Sequence, residues 1–273
     1  MSFTIEDVTF CITCFNRPKE LNRILKSISS NFIDPKVLVV CDSKNQKKER
    51  KISKLFPHYS FIFTDYDIGL SKKRNILMNH CKTRLFCLLE EDFIFEHNNG
   101  ISLAIESLNS DSVDFVGGRV DNIFDLDMVH LLVAFKKIIN GKGFNRLINI
   151  IYRKKEPINH YGNFEIHKNK LFTRWNSKSL EEVDGNSFDI YPNFFLCTLD
   201  LIKKIDGWQP DSLKNGEHGV FFARLFENEF KGIFLNEFKI LHRPKKRLFY
   251  LKKRLRKSFA DISNFTNFEE LNF

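Results

Sequence analysis

The sequence predicts an α/β fold with a mostly parallel central sheet flanked by helices. Strand-sized apolar runs alternate with helix-length amphipathic segments, and turn residues punctuate them. Several of the runs also end in polar residues. The run Val8–Thr13 is apolar and β-branched, as a buried strand requires. A Pro-bearing turn follows, then a helix with Leu21, Ile24, Leu25 and Ile28 on one face. Val37–Ser43 is a second strand, and KKERKISKLF is a second helix. Phe61–Thr64 is a third strand, and the segment opened by Gly69 is a third helix capped by Ser71. Arg84–Phe95 is a fourth strand, carrying three consecutive acids.

Further on, Val113–Val120 is a strand holding two glycines. From about Asp121 to Lys178, a helix-like LLVAFKKII lies among basic and aromatic loops and fits no single pattern. NGEHGVFFARLF predicts a helix, and FKILH predicts a strand ending at His242. The expected division is a domain over 1–243, with halves 1–120 and 121–243, and a basic amphipathic tail over 244–273.

With 273 residues, 42% hydrophobic and 28% charged, the chain can bury a core and is not disordered. The net charge of +9 is uneven, because Lys245–Lys257 contains no acid. That asymmetry argues against nucleic acid as a partner of the whole domain. Cys11 and Cys14 form a CxxC with no second pair, so buried reduced thiols are expected and a zinc site is not. No leader or membrane-length apolar run is visible, and the expectation is a cytoplasmic protein, peripheral on the inner membrane face through its tail.

In parallel sheets, ligands bind at the carboxyl ends of the strands. Here those ends carry Asn16 and Arg17, Asp42 and Ser43, and Glu90, Glu91 and Asp92. Three adjacent carboxylates raise one another's pKa, and a hard divalent cation shared with phosphate oxygens relieves this. A solvated strand end is the alternative. In GLSKKRN, Gly69 permits close approach, and Arg74 can pair with phosphate or with the acids.

The run DIGLSKKRNILMNHCKTRLFCLLEEDFIF resembles the nucleotide-sugar core of the β-1,4-N-acetylgalactosaminyltransferases of the GM2/GD2 synthase type. The later NFFLCTLDLIKKIDGWQPDSLKNGEHGVFF resembles a second block of that family, and VTFCITCFNRPKELNRILKSI is similar to family 2 glycosyltransferases. The resemblance implies a GT-A fold and inverting transfer of a hexose or N-acetylhexosamine from a UDP-sugar to a glycan or glycolipid hydroxyl. It implies Mn²⁺ or Mg²⁺ on Asp92, supported by Glu90, with Glu91 adjoining and His242 completing the site. Asp42 would meet uracil, Thr13, Asn16, Arg17, Ser43 and Gly69 would line the nucleotide pocket, and Arg74 would face the diphosphate. Glu217 is the candidate base at a helix N-terminus, and His218 is the alternative. The motif Glu-Glu-Asp departs from the family's three aspartates. A nucleotidyltransferase and an inactive sugar-nucleotide-binding relative remain as alternatives. In the tail, Leu248, Leu251, Leu255 and Phe259 share a helical face, so 244–259 is a candidate contact for an anionic membrane, while nucleic acid is not an expected partner.

Overall fold

A computed structural model describes residues 2–110, 113–122, 156–157, 161–167, 170–209 and 217–243. The tail and the segment LLVAFKKII lie outside these residues.

The first half follows the predicted alternation. Strand β1 (Val8–Cys14) leads to helix α1 (Pro18–Asn31), β2 (Lys36–Cys41) to α2 (Lys47–Leu55), and β3 (Ser60–Phe63) to α3 (Leu70–His80). β4 (Leu85–Glu90) then inserts beside β1. β1 lies parallel to both β2 and β4, and β2 lies parallel to β3. Gly69, with φ 93°, is the residue before α3, so Ser71 sits inside the helix and does not cap it.

The expected single strand over Arg84–Phe95 is two strands. β4 stops at Glu90, the chain turns at Glu91 and Asp92, and β5 (Phe93–Ile94) pairs antiparallel with β12 (Gly232–His242). The turn places the acids at the sheet's carboxyl edge and carries the chain toward a different neighbour.

The second half is mixed. After α4 (Asn99–Asn109), β6 (Phe115–Asn122) runs parallel to β12 and pairs with the short β7 (Glu156–Pro157). β8 (Gly162–His167) and β9 (Lys170–Trp175) form a separate hairpin. β10 (Ser187–Phe188) pairs with β12 at the edge. β11 (Phe195–Thr198) lies antiparallel between β4 and β6, and α5 (Leu199–Lys204) and α6 (Glu217–Glu227) precede β12. The long sheet runs β10-β12-β6-β11-β4-β1-β2-β3.

Strand alternation divides the core between the two faces of the sheet. From β1, Val8, Phe10, Ile12 and Cys14 pack with α1 and α4 residues such as Leu21, Ile24, Ile101 and Ile105. Cys11 packs on the opposite side with Leu77 of α3, Ile202 of α5 and Phe222 of α6. All six cysteines are buried free thiols. The two glycines of β6 make room for aromatic rings. A Cβ at Gly117 would stand 1.9 Å from Tyr191 Cδ1, and one at Gly118 would stand 2.3 Å from Phe194 Cε1.

Candidate active site

The site lies at the carboxyl edge, where the turn after β4 meets the end of β12. Glu90, Asp92 and His242 bring one ligand atom each to within 4.8 Å of one another. The turn at Glu91 and Asp92 parts the three acids: Glu91 lies against the loop after β1, where its Oε1 accepts from the Phe15 N–H at 3.4 Å and lies 3.7 Å from Arg17 Nε. Burial, reinforced by the charge of Asp92, raises its pKa to about 7.

Asp92 is 2% exposed. Its Oδ2 accepts from Arg17 Nη1 and stands 3.4 Å from His242 Nε2. Burial opposes ionisation, but the cationic neighbours His242 and Arg17 outweigh it and hold the pKa below the ordinary carboxylate value. Burial likewise disfavours imidazolium at His242, yet Asp92 and Glu90 prevail and raise its pKa. His242 Nδ1 is 2.8 Å from Asn122 Oδ1, which orients the ring. Asp92 Oδ1 is buried and has no hydrogen-bond partner among the described residues. Two carboxylates and one imidazole, with a buried orphan oxygen among them, suit a divalent cation.

Glu90 is held from the other side. Arg74, fully buried, approaches its Oε1 at 3.5 Å, and Asn193 Nδ2 donates to the same oxygen at 2.8 Å. Arg74 therefore braces the acid cluster.

Beside this cluster a cleft of about 700 Å³ is lined by Asn16, Ser43, Lys44, Asn45, Gln46, Lys47, Thr64, Asp65 and Tyr66. The Tyr66 ring stacks on Phe15 at 5.8 Å, offering a flat apolar surface. Asn16 and Ser43 are among the residues that line this cleft. Asp42 lies beneath it with no exposure, its Oδ1 2.8 Å from Lys73 Nζ. Burial raises the Asp42 pKa despite that ammonium. Thr13 is buried in β1 opposite Val40 and Glu90 and is not among the lining residues. Gly69 has nothing within 4 Å of its missing Cβ, so its positive φ, and not crowding, requires glycine.

Glu217 is the first residue of α6, and its side chain lies outside what is described. His218 Nε2 hydrogen-bonds the Tyr191 carbonyl, and its ring packs edge-on to Phe222 at 4.8 Å. A nitrogen bonded to a carbonyl must carry the proton. Residue-by-residue reading missed Lys73, Asn193, Asn122 and Tyr66. Only Lys73 carried a usable signal, as a lysine in the first turn of the helix that Gly69 opens.

A sheet flanked by helices on both faces, with an acid cluster at its carboxyl edge, is the architecture of the GT-A fold. The model of glycosyl transferase family 2 matches residues 9–173, and the chain belongs to that family. It is 23% identical over 235 residues to a beta-1,4 N-acetylgalactosaminyltransferase 2 of Mus musculus, covering 84% of this chain and 39% of that protein. The crystal structure of GalNAc-T7 with UDP, GalNAc and Mn²⁺ superposes with a TM-score of 0.63 at 12% identity, covering 87% of this chain and 44% of the other. The chain thus spans less than half the length of either protein. Among the described residues, no helix is long and apolar enough to cross a membrane.

Proposed function

We propose that the chain is an inverting, metal-dependent transferase that moves a hexose or N-acetylhexosamine, GalNAc or Gal foremost, from a UDP-sugar to a hydroxyl of a glycan or glycolipid. The observation that carries this reading is the Glu90–Asp92–His242 cluster beside the cleft, with Asp92 Oδ1 buried and unpartnered among the described residues. The names of the two similar proteins, one a β-1,4 GalNAc transferase and one bound to UDP, GalNAc and Mn²⁺, support the choice of donor and metal.

In this reading Glu90, Asp92 and His242 hold Mn²⁺ or Mg²⁺, which supplies Lewis-acid stabilisation of the departing diphosphate. Asn122 keeps His242 turned toward Asp92, and Arg74 with Asn193 keeps Glu90 in place. Arg17 neutralises Asp92 when no cation is bound. The Phe15–Tyr66 stack and Asn16 receive the base, with the buried Asp42–Lys73 pair next to the lining residue Ser43. Glu217 deprotonates the acceptor hydroxyl. His218 suits that role less, because one nitrogen is committed to Tyr191. Residues 1–120 form the donor half and 121–243 the acceptor half. The basic stretch 244–259 attaches the enzyme to anionic lipid near its acceptor.

The test is turnover across a panel of UDP-sugars with Mn²⁺ and with EDTA, read together with the anomeric configuration of the product. Equal turnover with EDTA, or retention of configuration, overturns the reading. Vesicles of anionic lipid should sediment the whole chain and release it in salt, and equal binding after truncation at Arg243 excludes the tail as anchor.

A further inference from the structure

α2 reads KKERKISKL, and its single acid, Glu49, is turned inward to 1% exposure while Lys47, Lys48, Arg50, Lys51 and Lys54 face solvent. A carboxylate buried under a basic helix face requires a bonded partner to offset its desolvation. Its partner is Ser43, whose Oγ donates to Glu49 Oε1 at 2.8 Å. The same Oγ accepts from the Asn16 backbone N–H at 2.7 Å, and Asn16 Oδ1 accepts from the Lys44 N–H at 3.1 Å. The result is a chain of three hydrogen bonds from α2, through the loop after β2, to the loop after β1. Asn16 sits at φ 57°, a left-handed conformation that asparagine adopts more readily than most residues.

Asn16, Ser43, Lys44 and Lys47 all line the cleft, whereas Glu49 does not. Ser43 has only one hydroxyl proton, and it is spent on Glu49. Ser43 is therefore better described as a strut than as a ligand contact. We propose that Glu49 is a positioning residue for the nucleotide cleft. It acts through Ser43 to hold Asn16 and Lys44 in their binding geometry and touches no ligand itself. The proposal rests on the reading of this cleft as the donor-nucleotide site.

Four variants test it: Glu49→Ala, Glu49→Gln, Ser43→Ala and the double variant Glu49→Ala with Ser43→Ala. The measurements are UDP affinity with Mn²⁺, donor KM and kcat, and amide hydrogen exchange over 14–17 and 43–47 without ligand. Loss of the hydrogen bond that holds Ser43 predicts that Glu49→Ala weakens UDP binding about tenfold and raises donor KM in step, with kcat within about twofold. Exchange in both loops should accelerate. Glu49→Gln should stay near the parent, because its amide oxygen still accepts from Ser43. Adding Glu49→Ala to Ser43→Ala should cost nothing further. Unchanged exchange and affinity in Glu49→Ala overturns the proposal, as does an equal loss in Glu49→Gln. Should Glu49→Ala fail to fold, Ser43→Ala carries the same expectation and the same overturning result. A parent chain that binds no UDP overturns the donor reading alone, and the exchange measurement then decides the role of Glu49.

Discussion

Asp92 is a buried carboxylate with one oxygen engaged and one open. Arg17 and His242 balance its charge, and its second oxygen is left without a partner among the described residues. Asp92→Asn keeps the volume but removes the charge that a cation needs. Metal-stimulated transfer should fall by about 100-fold or more, with the fold retained by circular dichroism. His242→Ala should raise the Mn²⁺ concentration for half-maximal activity by at least about tenfold, and an unchanged Mn²⁺ titration removes His242 from the ligand set. The Asp42–Lys73 pair makes a different point. Both side chains are almost fully buried, so removing one charge strands the other. Lys73→Met should cost about 3–5 kcal/mol of stability, and Asp42→Asn added to it should restore most of that. Denaturant titration of the four chains gives the answer. Additive losses would show that the two groups are not coupled.

At the scale of elements, β1 to β4 and their helices were legible because each buries its own apolar pattern against immediate neighbours, as Leu21, Ile24, Leu25 and Ile28 show. The end of β4 was not, because β5 is defined by a partner, Leu241–His242, almost 150 residues away along the chain. β12 was read only over its last residues, FKILH, for a similar reason. Its register against β6 shifts between Leu235 and Lys239, so its apolar residues do not alternate cleanly. That irregularity brings the Phe238 carbonyl to within 2.4 Å of where a Gly118 Cβ would stand. Backbone and a buried Phe194 ring cannot both yield, so Gly118→Ala should destabilise the chain by about 3 kcal/mol or more in urea unfolding. It should also lower activity, because β6 and β12 carry Asn122 and His242 to the site. Wild-type stability in this variant would mean that β6 and β12 separate without cost.

Across the whole molecule the site occupies one edge of the sheet, and the other edge is tied down by the beginning of the chain. Arg84, just before β4, donates to Asp7 Oδ1 at 2.9 Å and Oδ2 at 2.7 Å, and also to the Ser2 carbonyl at 3.1 Å. Its guanidinium lies 4.7 Å from the Phe3 ring centroid. Asn109 at the end of α4 clasps the Phe3 backbone through both its amide atoms. The Asp7–Arg84 hydrogen bonds lower the Asp7 pKa to about 2. An unfolded Asp titrates near about 4, so the folded value is depressed. The pair's stabilisation is therefore complete above about pH 4 and is lost as pH falls through about 2. The arginine is well exposed, which screens the pair and keeps its effect small. Asp7→Asn should melt about 1–3 °C below the parent at pH 5–7. The two melting curves should converge between about pH 4 and pH 2 as the parent's carboxylate takes up its proton. A difference that stays constant down to pH 2 would mean that Asp7 acts through packing, and the bidentate pair would not be what fastens this edge of the sheet.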